Sequence, residues 1–98
     1  MKRIIEGKVY NTETAERIVD NAGDRVYGHD TTRITILYRT KKGRFFTEFN
    51  SQWQGEDFYL EALTEQEAFE FFQRNAGTND VDRIGELFPV YKDKIEEA

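Results

Sequence analysis

His29 is the only histidine in the chain and stands beside Asp30. A His-Asp pair can orient an imidazole as a general base. That chemistry also needs a nucleophile, and none is in place: the chain has no Cys, and no Ser sits in a nucleophile-elbow context. Sequence neighbours in a loop need not touch, so His29 reads as an exposed loop residue. Asp80 and Asp82 start like a calcium loop, but position twelve of that loop, where a bidentate Glu belongs, is Tyr91. Asp80 is better explained as a helix cap. No Gly-rich turn followed by Lys-Ser/Thr is present to cradle a phosphate. Nineteen acidic residues leave room for a catalytic carboxylate pair, but spacing singles none out. The expectation is a non-enzymatic protein with no catalytic, metal-ligating or cofactor-binding residues.

Binding chemistry is better represented. Trp53 lies in a polar Ser-Gln-Trp-Gln-Gly-Glu loop, either folded back onto the core or exposed as an anchor of the kind that dominates binding hot spots. Around it in sequence stand Glu48, Glu56, Asp57, Tyr59, Glu61, Glu65, Glu67 and Glu70. Together these residues form a candidate acidic and aromatic surface, able to occupy a groove that ordinarily holds a phosphate backbone. Opposed to it in sign is a basic hairpin tip, Lys41, Lys42 and Arg44 with Arg33 and Arg39, next to Phe45 and Phe46. Such a tip can touch phosphates. Its plainer reading is a solvated turn whose lysines protect a strand edge. Because the chain as a whole carries −5, no direct nucleic-acid binding is expected.

The charge is unevenly placed. Residues 1–44 hold ten Lys/Arg against six Asp/Glu, and residues 45–98 hold four against thirteen. The acidity therefore belongs to the second half, which suits a basic partner or, more plainly, keeps a small protein in solution. The length of 98 residues makes one domain, 1–98. Hydrophobic content is only 38%, but eight Phe, five Tyr and one Trp supply large buried areas per residue. No apolar run is long enough to span a bilayer. The basic start lacks the apolar stretch of a signal peptide. A cytoplasmic protein is expected.

Several elements must position these groups. Residues 3–10 read as a short strand, with Gly7 at a bend or tight turn. Asn11 or Thr12 then caps a helix whose Ala15, Ile18, Val19 and Ala22 share one face, with Gly23 as its stop. Residues 24–32 read as a loop. Alternation over 33–39 and 44–50 predicts a hairpin across Lys41-Lys42-Gly43. Its register has two solutions. A three-residue turn pairs Tyr38 with Phe46, whereas a two-residue turn sets Phe45 and Phe49 beside Ile34, Ile36 and Tyr38. The second is preferred because it keeps Glu48 on a wet face.

A third strand covers roughly 57–63. Thr64-Glu65-Gln66-Glu67 is a capping box, opening a helix with Ala68, Phe69, Phe72 and Ala76 on one face and Gly77 at its end. Asn79 or Asp80 caps another helix, carrying Val81, Ile84, Leu87 and Phe88 up to Pro89. Residues 90–98 form a frayed helical tail. The predicted fold is α+β in the order β-α-β-β-β-α-α: a three-stranded antiparallel meander plus a short N-terminal strand, packed against helices.

Three segments, Ile5 to Ala15, Leu37 to Phe46 and Leu63 to Ala68, carry an I-x-G-K-x-Y-N-T-E-T-A start, an L-Y-R-T-K-K-G-x-F-F hairpin and a helix opening. In these the chain resembles small proteins of phages, plasmids and other bacterial mobile elements, some of which are anti-CRISPR proteins. The shared motifs are structural, so the resemblance implies a common fold and carries over no functional residue. What it implies of function is an inhibitor of a bacterial defence nuclease, an anti-CRISPR-like DNA mimic acting on a Cas effector. The alternative is a small regulatory or accessory interaction module acting as a homodimer.

Overall fold

The computed structural model describes residues 1–21, 33–51 and 59–91. His29, Asp30, Trp53, Glu56, Asp57 and the tail from residue 92 lie outside the described residues, as do Ala22 and Gly23. The class is α+β.

The first departure from expectation is at the N-terminus. In place of one strand there is a hairpin, β1 (Lys2–Ile5) and β2 (Lys8–Asn11), in which Arg3 pairs with Tyr10 and Ile4 with Val9. Glu6 and Gly7 turn the chain with φ of 51° and 77°, the left-handed pair that matches the twist of a two-residue hairpin loop.

The second departure is the helix expected after Asn11, which the structure replaces with a strand, β3 (Glu16–Asp20). The cap signal was real but local. The Asn11 side chain accepts from the Glu13 amide, and the Asn11 carbonyl accepts from the Thr14 and Ala15 amides. One turn forms and stops there. Beyond it, β3, which carries β-branched Ile18 and Val19, pairs with β4 (Arg33–Arg39), Val19 opposite Leu37, in a setting where stiff side chains pack well. A bulge between Arg17 and Val19 lets Ile18 and Val19 both face the helices. That adjacency imitates the i, i+1 crowding of a helical face, which is why the periodicity misled.

β4 continues into β5 (Phe45–Ser51), and β5 pairs with β6 (Tyr59–Leu63). The result is a four-stranded antiparallel meander, β3-β4-β5-β6, one strand wider than predicted. Tyr38 pairs with Phe46 and Ile36 with Glu48, so the hairpin takes the three-residue turn rather than the preferred two-residue one. Gly43, at φ 86°, supplies the left-handed position, and the Thr40 amide donates to the Arg44 carbonyl at 2.7 Å. The preference failed because it assumed one wet face, whereas both faces of this sheet are covered.

One face carries Ile18, Val19, Leu37 and Phe45 against α1 (Glu65–Asn75) and the C-terminal segment. The other carries Ile36, Tyr38, Phe46 and Leu60 against Tyr10 of the β1–β2 hairpin. Phe46, Phe88, Leu37 and Leu60 are the largest fully buried side chains, each contributing about 1.5–3 kcal/mol by leaving water.

The capping box forms as read: the Thr64 hydroxyl accepts from the Glu67 amide at 3.1 Å, and the Glu67 carboxylate accepts from the Thr64 amide at 2.9 Å. After α1 a 3-10 turn (Thr78–Arg83) leads into the short α2 (Ile84–Leu87). The Asp80 carboxylate caps that turn by accepting from the Gly77 amide. Phe88 then enters the core, stacked on Phe45 at 4.9 Å and edge-on to Phe69 at 5.3 Å.

Candidate functional site

The predicted acidic surface is divided by the pleat of β5 and β6. Successive strand residues point to opposite faces. Phe45, Thr47 and Phe49 pair with Leu63, Glu61 and Tyr59, so Tyr59 and Glu61 stand on the helix side of the sheet. Glu48 pairs with Leu60 and faces the other way. There it accepts from Asn50 Nδ2 at 3.0 Å and, at 3.4 Å, from the Tyr38 hydroxyl. Burial, reinforced by the Glu48 charge and opposed by Arg17, raises the Tyr38 phenol pKa above its ordinary value. Glu48 is thus a half-buried acceptor holding Tyr38, separated from the other acids.

The remaining described acids of this group lie on edge strand β6 and on α1. Tyr59 is exposed and stacks on Phe49, ring centroids 5.0 Å apart. Glu61 is exposed on edge strand β6, and Glu65, Glu67 and Glu70 are exposed on α1, which follows β6 after one residue. Glu61 and Glu67 line one cleft. Hydrogen bonding from the Thr64 backbone, then from its side chain, holds the Glu67 carboxyl below the usual carboxylate value and so keeps it charged. Glu61, Glu65 and Glu70 form no ion pair among the described residues.

Elsewhere several charges are neutralised in pairs. Glu16 receives both Arg39, at 3.3 Å, and Arg83, while Arg39 also reaches Glu86 at 3.7 Å. Arg17 pairs with Asp20. These links tie β3 and β4 to the C-terminal segment. Because the side chains are partly solvated, each is worth only about 0–1 kcal/mol.

A second group of charges was only half legible in sequence. Lys41, Lys42 and Arg44 form the hairpin tip, and the fold brings Lys8, the first residue of β2, beside them in a shared depression. No local pattern links residue 8 to residue 42. Their meeting follows from the β1–β2 hairpin docking through Tyr10 onto Phe46, edge-to-face at 5.3 Å.

No family model matches the chain, and comparison with curated proteins and with solved structures returned no match. No helix among the described residues is long and apolar enough to cross a membrane.

Proposed function

We propose that this chain is a non-catalytic inhibitor of a bacterial defence nuclease, anti-CRISPR-like, acting in the cytoplasm of a bacterial host. It docks a nucleic-acid-binding groove of a Cas effector through Tyr59, Glu61, Glu65, Glu67 and Glu70, joined by Trp53, Glu56 and Asp57, and so blocks target DNA. The observation that supports this reading is the exposed β6–α1 edge, where Glu61, Glu65 and Glu70 are exposed and form no ion pair among the described residues. Most other described acids on the sheet are already paired or hydrogen-bonded. Unpaired like charges destabilise a fold slightly and are worth keeping where a partner of opposite sign supplies the compensation.

The test is target-DNA binding by a panel of purified RNA-guided effectors, measured by mobility shift with and without this protein. The wild type is expected to abolish the shift for at least one effector. Combined charge reversal at Glu61, Glu65 and Glu70 is expected to restore it, and Glu56→Lys with Asp57→Lys to weaken inhibition. Unchanged inhibition by the reversed variants would overturn the acidic-surface reading, and no inhibition of any effector would overturn the function.

One observation favours the alternative, a homodimeric accessory module. Ile4 and Val9 face each other across β1 and β2 with 69% and 62% of their surfaces exposed, an apolar pair on a two-stranded sheet. Sedimentation of the wild type as a dimer, and of Ile4→Lys as a monomer, would support it.

A further inference from the structure

The depression between the two hairpin turns is the most strongly cationic place among the described residues. Lys8, Lys41, Lys42 and Arg44 line it together with Tyr10, Thr14 and Thr40, and no acidic side chain lines it. None of the four cations forms an ion pair among the described residues. This contrasts with Arg17, Arg39 and Arg83, each of which has found a carboxylate. In a chain with nineteen acids and fourteen Lys/Arg, four clustered cations without partners run against the overall balance. Low-dielectric walls on either side of such a cluster focus its field outward.

The depression is not isolated. It holds about 450 Å³ and shares Thr14, Thr40, Lys41 and Lys42 with a neighbouring depression of about 580 Å³ that reaches Arg39. On the other side it shares Lys8, Tyr10 and Arg44 with the cleft that contains Arg3. The three open depressions adjoin through these shared side chains and offer a channel-like path across the surface. A single small anion needs a closed nest, whereas an open channel with cations repeated along it suits a chain of phosphates. Acids stand only in its two end depressions: Glu16, engaged by Arg39 and Arg83, at one end, and Glu6, Glu61 and Glu67 at the other. Lys8 and Arg44 therefore also line a cleft that holds Glu6, Glu61 and Glu67, while Lys41 and Lys42 do not.

We infer that this channel binds the phosphodiester backbone of a nucleic-acid strand, with Lys8, Lys41, Lys42 and Arg44 as its phosphate contacts. The inference does not rest on the inhibitor reading, although Glu61 and Glu67 of the acidic edge line the cleft at one end of the channel. The positive field of the basic tip becomes sufficient only when Lys8 is added from the other hairpin, and neither hairpin alone supplies the channel. Binding of this kind carries no base readout and is driven by counterion release, so salt governs it.

The test is fluorescence anisotropy of the full chain with a labelled single-stranded oligonucleotide and with the same sequence as duplex, from about 50 to about 200 mM salt. Neutralising three or four phosphates predicts a slope of log K against log salt between roughly −2 and −4. Lys8→Ala and Arg44→Ala should each make the slope shallower by about one. Lys2→Ala removes the same charge from outside the channel and should leave the slope unchanged. All three side chains are exposed, so the variants should fold, which circular dichroism checks. A preference for one oligonucleotide form identifies the strand the channel accepts. The inference is overturned by absence of binding at the lowest salt, by Lys2→Ala flattening the slope as much as Lys8→Ala, or by displacement of the oligonucleotide by inorganic phosphate, which would mark a one-phosphate pocket.

Discussion

Tyr38 and Phe46 face each other across the β4–β5 ladder with their rings stacked, centroids 5.2 Å apart and 12° from parallel. This pair sets the register of the hairpin, and Tyr10 closes on Phe46 from the β1–β2 hairpin. Three strands of two separate sheets therefore meet at one ring. Removing that ring should do more than open a cavity. Phe46→Ala is expected to cost about 3–5 kcal/mol and to release the β1–β2 hairpin. Denaturant unfolding followed by far-UV circular dichroism measures the loss, and amide exchange at residues 2–11 reports the undocking. Retention of full protection there would show that the hairpin is held by other contacts.

Gly43 isolates a backbone effect. Its φ is 86°, and a Cβ placed on it would meet nothing within 4 Å. Gly43→Ala should therefore cost about 1–2 kcal/mol through the left-handed conformation alone. Gly43→Asn should cost less, since Asn tolerates that region. Equal losses for the two variants would point to a steric cause instead.

The capping box gives a pH signature. Glu67 has its folded pKa held below the ordinary 4.5 by hydrogen bonding from Thr64. Its contribution is present in full above that ordinary value and disappears as the pH falls through the lowered folded value. Thermal melts of wild type and Glu67→Gln should differ at neutral pH and converge well below pH 4.5. Thr64→Ala, which removes the hydroxyl acceptor of the Glu67 amide, should cost about 1 kcal/mol. A wild-type advantage that persists undiminished in acid would rule out the ionised cap as its source.

Glu16 is the shared acceptor of Arg39 and Arg83. Its side chain is well solvated, so Glu16→Ala should lower stability by no more than about 1 kcal/mol. The loss should shrink as salt is raised. A loss of several kcal/mol, insensitive to salt, would mean the network is effectively buried.

Where sequence reasoning succeeded, the deciding interactions were local. The Thr64–Glu67 box spans three residues, and alternation along residues 33–39 is a property of the strand itself. Gly43 was identified as the left-handed residue of its turn for the same reason. Apart from the local turn at Glu6-Gly7, which splits the expected first strand into a hairpin, the failures involved residues distant in sequence. Asn11 caps one turn, but whether that turn grows depends on β4 offering residues 16–20 a ladder. Parity along residues 44–50 was visible, yet choosing a register required knowing that the β1–β2 hairpin covers the second face. Within the candidate acidic surface, Glu48 lies on the opposite face of the sheet from Tyr59 and Glu61 because the pleat alternates, a division that nearness in sequence does not reveal.

Local chain chemistry is enough to specify the α+β class, the β4–β5 hairpin, the capped helix α1 and the division of charge between the two halves of the chain. Each rests on propensity, periodicity or composition, which act over a few residues or over the whole. Only the tertiary structure decided that residues 16–20 are a strand, that Tyr38 meets Phe46, and that Lys8 joins Lys41, Lys42 and Arg44. Those outcomes are set by which exposed edge or apolar face finds cover, and that choice is made between segments far apart in the chain.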